Sequence, residues 1–135
     1  MTASIHQERH LAHPAAAVWR ALTDPLLSAR WLMPGDVSTH VGHSFTLETR
    51  GWGLTQCVVL AAEAERLFCF SWKNPPLDTV VTWTLTPEDG GTRLQLEHSG
   101  FDLDDPQQRM AFDGMGHGWG SMLDDRLPPV LEGLD

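Results

Sequence analysis

The side chain best placed to do chemistry is His98. It falls in an alternating stretch, Thr92 to Ser99, in phase with Leu94 and Leu96, so its imidazole shares their apolar face while Glu97 points the other way. Imidazole titrates near neutral pH, which leaves such a histidine three uses. It can orient a ligand carbonyl or hydroxyl, act as general acid or base with an acidic helper such as Asp102 or Asp113, or bond a neighbouring backbone group or the terminal helix. Catalysis needs at least two polar groups converging on one point, and the sequence offers one good candidate. His98 is therefore read as a polar anchor, and no catalytic residue is assigned.

The other reactive side chains are less suggestive. His40 and His43 lie three apart, and His6 and His10 share a strand face, with His13 and His117 further off. A closed zinc site needs about four converging ligands, and neither cysteine has a partner at the usual short spacing. Scattered surface histidines are the reading, with no metal and no cofactor expected. Cys57 and Cys69 sit inside apolar runs, as reduced core thiols do; a disulfide or thiolate nucleophile calls for a polar setting. No Gly-x-Ser-x-Gly occurs, and Gly118-Trp119-Gly120-Ser121 is not that motif. The glycines at 114, 116, 118 and 120 lack the Lys-Ser/Thr of a phosphate loop and follow no strand, which excludes P-loop and dinucleotide chemistry.

Aromatic usage carries more. Six Trp and five Phe with no Tyr are hard to pack solidly in a chain of 135 residues, and easier to place if several face a cavity. Trp31, Trp72, Trp83 and Trp119, with Phe45, Phe101 and Met115, are the candidate walls, and His98 the candidate anchor. Trp19, between Val18 and Leu22, reads as core, and Trp52, between two glycines, as a turn residue at the cavity mouth.

Positioning these groups takes a sheet and helices. Ser4 to His13 alternates, with Ile5, Gln7, Arg9 and Leu11 on one face. Pro14 opens an alanine-rich helix to Leu22, and Asp24-Pro25 restarts the same grammar for a short helix through Trp31, ended by Pro34-Gly35. Five strands follow, at 44–50, 55–62, 67–72, 79–86 and 92–99, broken by Gly51-Trp52-Gly53, Lys73 to Pro76 and the hairpin signal Glu88 to Gly91. Asp105-Pro106 with Gln108 at N3 resembles a capping box and starts a terminal helix, on which Trp119, Met122, Leu123 and Leu127 share a face. The glycine cluster either softens that helix into a gate or forms a loop without a role in ligand entry, and Pro128-Pro129 should stop or kink the helix near Leu127. One long helix must cover the apolar face of a curved sheet, and the gap beneath it is a natural ligand cavity.

Composition narrows the partners. Eighteen acidic residues against nine basic give a net charge of −9. That field repels phosphate backbones, so no nucleic-acid partner is expected. No run approaches the ~18 apolar residues of a membrane helix, so no membrane partner is expected. Met1 to His6 lacks a basic region followed by an apolar run, which makes the cytoplasm the expected location. The length suits one domain over 1–135.

Several segments, in order, resemble the START-like (SRPBCC, helix-grip) superfamily, closest to its branch related to the activator of heat-shock-protein-90 ATPase. They are His13-Pro14 with Val18-Trp19-Arg20-Ala21-Leu22-Thr23-Asp24-Pro25 and Arg30-Trp31, then Gly42-His43-Ser44-Phe45, Phe70-Ser71-Trp72, Val81 to Leu85, Gly91 to Phe101, and Gly118-Trp119. His43 stands where a second glycine is often found. The resemblance implies an α+β helix-grip fold: a curved antiparallel six-stranded sheet, two short helices after strand 1, and a long C-terminal helix across the concave face. It also implies binding of small hydrophobic molecules such as lipids, sterols or polyketide-like aromatics. Some branches are cyclases or aromatases, and the eukaryotic namesake assists a chaperone. The functional expectation is non-catalytic binding of a small aromatic or lipid-like molecule between sheet and terminal helix. A cyclase/aromatase-type enzyme using the cavity histidine and a co-chaperone-like module with a protein partner are the alternatives.

Overall fold

The computed structural model describes residues 2–49 and 53–134. Trp52, expected on a turn, lies outside the described residues. Strand β1 (Thr2–Leu11) leads into helices α1 (Ala15–Thr23) and α2 (Pro25–Trp31). The meander β2 (Ser44–Thr49), β3 (Gly53–Glu63), β4 (Leu67–Asn74), β5 (Leu77–Glu88) and β6 (Gly91–Asp102) follows, then helix α3 (Pro106–Ser121), a π-helical turn (Met122–Arg126) and helix α4 (Leu127–Glu132). The strands form one antiparallel sheet in the order β1-β6-β5-β4-β3-β2. This is the expected α+β helix-grip architecture.

Local chemistry explains most of the boundaries. The Asp24 carboxylate accepts the Leu26 N–H and caps α2, with Pro25 at its first position, where a missing N–H costs nothing. Asp105 does the same for α3 through the Gln107 N–H. Pro14 stands at the N-cap of α1 in extended backbone, one place earlier than expected. Gln108 does not complete a capping box; its side-chain oxygen accepts the Asp102 N–H at 2.8 Å instead, tying the end of β6 to the start of α3. His43, the departure from the family pattern, bonds the Asp36 carbonyl at 2.7 Å and stacks on Phe45.

The strands run longer than their alternation suggests because bulges reset the phase. In β6, Gly100 is an extra residue against β1, where Ser4 faces Ser99 and Ala3 faces Phe101. Its φ of +99° suits glycine, and the slip returns Phe101 to the inner face beside His98. A second slip in β3, between Val59 and Ala61, ends the inward series Thr55, Cys57, Val59. At the β5–β6 hairpin, Gly91 passes so close to β1 that a Cβ would strike the Leu11 carbonyl oxygen, and β1 ends at Leu11 rather than His13.

The terminal helix was expected to stop or kink near Leu127. It continues to Glu132, and the accommodation is the π turn. Pro128 and Pro129 bring no N–H for the carbonyls four residues back. The chain widens before them, so that the Leu127 N–H reaches the Met122 carbonyl, one residue further than in an α-helix. The four glycines are helical throughout, so the loop reading of this segment is set aside. Helix α3 packs over β6 and β1, while the π turn and α4 pack on α1 and α2. The covering helix thus crosses the concave face diagonally.

Candidate functional site

The inner face divides into a filled half and a hollow half. Over β5 and β6, aromatic rings close the interior. Trp119 stands edge-on to Trp83 at 5.6 Å between centroids, Trp83 edge-on to Trp31 at 5.8 Å, and Phe101 edge-on to Phe112 at 5.3 Å. Trp31 donates its indole N–H to the Ala21 carbonyl at 2.8 Å. Trp19 is only partly buried and meets Phe68 edge-on at the margin of the core.

Towards β2 and β4 the rings give way to a cavity of about 290 Å³, at the lower end of the ~300–1,000 Å³ common for small-molecule sites. Its walls come from the end of α2 (Leu32, Met33), the end of β2 (Thr49), β4 (Trp72), α3 (Gly114, Met115, Gly118, Trp119, Ser121) and the π turn (Met122, Arg126). Gly114 and Gly118 lie one helical turn apart on the cavity side, and a Cβ at either would meet nothing within 4 Å. Two side chains that would otherwise fill the space are therefore missing. The helix gives up about 1 kcal/mol of propensity at each.

Of the residues singled out in the sequence, Trp72, Met115 and Trp119 meet at this cavity. Phe45, Trp83, His98 and Phe101, on the inner face of the sheet, and Trp31, on α2, are buried in the packed core and lie outside the lining. Asp102 and Asp113, weighed as acidic helpers, do not line it either.

His98 is fully buried and both ring nitrogens are engaged. Trp119 donates its indole N–H to Nδ1 at 3.1 Å, so in the neutral ring the proton sits on Nε2. That N–H donates to Thr79 Oγ1 at 2.9 Å, and the Thr79 hydroxyl donates in turn to the Trp72 carbonyl at 2.9 Å. Every group in this chain is satisfied only when the imidazole is neutral. Burial pushes its pKa down to about 3. The arrangement is that of a structural histidine that fixes two tryptophans.

Sequence reasoning passed over Thr79 and Arg126. Thr79 shares the phase of Val81, Trp83 and Leu85, so a hydroxyl on the inner face was there to be read. Arg126 lies four residues beyond Met122 and seven beyond Trp119, helical spacing that holds once the helix is carried towards the prolines.

On the other side of α3, Arg9 of β1 grips Asp124 through Nε at 2.6 Å and Nη2 at 3.2 Å, and Gln7 donates to the Gly116 carbonyl at 3.4 Å. These bonds hold the glycine-rich helix to the sheet edge. Among the described residues no cluster of three or more His, Cys, Asp or Glu could hold a metal ion, and no helix is long and apolar enough to cross a membrane.

Solved structures resemble this one over 90–98% of its length. Protein MLL2253 from Mesorhizobium loti is 38% identical, with a TM-score of 0.87 over 98% of this chain and 99% of that one. A Bacillus halodurans protein, BH1534, is 26% identical, with a TM-score of 0.82 over 97% and 99%. CalU16 from Micromonospora echinospora is 28% identical, with a TM-score of 0.75 over 90% and 71%. No functionally curated protein matches the chain. The family model for Activator of Hsp90 ATPase homolog 1-like protein matches residues 12–132, and with it the full-length likenesses show that the chain belongs to that family, within the START-like, helix-grip superfamily.

Proposed function

We propose that this protein binds a small hydrophobic molecule, aromatic or lipid-like, in the cavity between sheet and terminal helix, and does no chemistry on it. The observation that carries this reading is the cavity: an apolar wall of Leu32, Met33, Trp72, Met115, Trp119 and Met122, kept hollow by two glycines on an otherwise continuous helix. The absence of turnover is supported by His98, whose nitrogens are both committed to protein partners. A cyclase or aromatase would require that ring, or another acid–base pair, to face the ligand. Two free thiols, Cys57 and Cys69, suit a reducing cytoplasm.

The protein-interaction reading would rest on a different surface, the row Leu54, Val58 and Leu60 exposed on the outer face of β3. One variant separates the two. Gly118→Leu places a side chain in the cavity on a better helix former. Titration with a panel of apolar aromatic and acyl compounds, followed by Trp quenching, should give saturable micromolar binding in the parent. The variant should bind at least tenfold more weakly with an unchanged or raised Tm. Equal binding by Gly118→Leu, or no saturable binder at all, refutes the cavity reading. Retention of a captured protein partner by the variant would favour the interaction reading.

A further inference from the structure

The cavity wall is mostly apolar, and its charge points to one kind of ligand. Arg126 is, among the described residues, the one charged residue lining it. It is half-buried, and among the described residues it has neither a carboxylate partner nor a hydrogen bond. Arg20 and Arg30 also lack an ion pair among the described residues but are exposed, whereas the other half-buried arginines are paired in this chain of net charge −9, Arg9 with Asp124 and Arg93 with Glu8 and Glu88. The two acidic residues that precede it, Asp124 and Asp125, lie on the helix's other side, where Arg9 holds Asp124. Among the described residues no acidic side chain lines the cavity to compete for the guanidinium.

A second donor is also without an acceptor. The indole N–H groups of Trp72 and Trp83 are both buried and unpartnered, and of the two Trp72 lies on the cavity wall. A buried N–H left unmet is costly, and the group to satisfy it would have to be an acceptor. Of the remaining polar side chains of the lining, Thr49 gives its hydroxyl proton to the Gly53 carbonyl at 2.6 Å, and the Ser121 hydroxyl can donate as well. Arg126 and Trp72 thus bring unmet donors to an apolar space in which, among the described residues, there is no anion of the protein's own.

Resting on the proposed binding function, we infer that the ligand is an apolar monocarboxylic acid, with its body on Trp72, Trp119 and the methionines and its carboxylate against Arg126. A guanidinium meets a carboxylate with two parallel N–H···O bonds, which gives orientation as well as affinity. The small volume favours a short acyl chain or a compact aromatic acid over a long lipid.

The test uses matched pairs: octanoate against 1-octanol, and 1-naphthoate against 1-naphthol, titrated by Trp fluorescence at pH 7. The parent protein should prefer each acid it accepts by about ten- to a hundredfold, the range for hydrogen bonds to a charged group. Arg126→Met, which keeps the length of the stem, should erase that preference while holding or improving affinity for the neutral compound. Its Tm should stay within a few degrees of the parent's. The pair that binds identifies the body as aliphatic or aromatic. Neutral and acid forms binding alike in the parent, or a preference that survives Arg126→Met, overturns the carboxylate assignment and leaves the apolar cavity standing. Failure of all four compounds together overturns both.

Discussion

Lowering the pH from 7 to 5 should destabilise this protein through His98 alone by an amount that can be worked out in advance. Free imidazole titrates at 6.5, while in the fold burial holds His98 at about 3. Between those values the unfolded chain binds a proton that the native state refuses, so stability rises with pH across the window and is lost on acidification. The full difference corresponds to about 5 kcal/mol at ~1.36 kcal/mol per pKa unit. Most of the first portion falls between pH 7 and 5, where the loss should be about 2 kcal/mol. Carboxylates held low by their partners, Glu88 by Arg93 and Asp124 by Arg9, shift stability in the same direction but mainly below pH 5. Urea unfolding followed by Trp fluorescence at the two pH values gives the quantity directly. His98→Gln removes the titrating group and serves as reference: less stable at pH 7, because the Trp119 and Thr79 bonds are disturbed, but with a pH dependence shallower by about 2 kcal/mol. Parallel slopes for parent and variant, or a His98 resonance that titrates between pH 6 and 7 in the native state, would refute the buried neutral relay.

Gly116 and Gly114 provide a contrast on one helix, since a Cβ at either meets nothing within 4 Å but only Gly114 lines the cavity. Alanine at either position should stabilise by about 0.5–1 kcal/mol, a few degrees in Tm by calorimetry, and only the change at Gly114 should alter ligand affinity; destabilisation would show that the helix needs its glycines for another reason. Cys57, whose thiol burial pushes up to about 12, should resist iodoacetamide at pH 8 until the protein unfolds, and alkylation at the rate of an unfolded peptide would contradict its burial.

How much of this was readable in the sequence depended on whether the signal was local. Asp24-Pro25 and Asp105-Pro106 announce helix starts because cap and proline act within a few residues, and Glu88 to Gly91 announces a hairpin for the same reason. Alternation assigned Trp72, Trp83 and His98 to the inner face correctly, yet it carries no information on depth. Trp83 is walled off from the cavity by Trp119, which belongs to a helix more than thirty residues further along the chain. Gln108 could satisfy either its own helix or the end of β6, and only the fold decides between them. Pro128-Pro129 signalled a break correctly in kind, but a π turn offered a way through, so Arg126 remained on the cavity side of a helix expected to end beside it.

The division of the inner face also bears on what His98 can be. Its hydrogen bonds end on the two tryptophans that form the cavity wall, the side chain of Trp119 on one side and the backbone of Trp72, through Thr79, on the other. The ring therefore sits behind the site and fixes its geometry. A histidine recruited for proton transfer would need one nitrogen open to the ligand and a pKa near the working pH; here the first is absent and the second is displaced well below it. The residue that looked most chemical in the sequence is thus a brace. In the binding mode proposed above, the ligand's polar contact falls instead to Arg126, a side chain whose long stem can lie along the apolar wall while its charge stays free to pair.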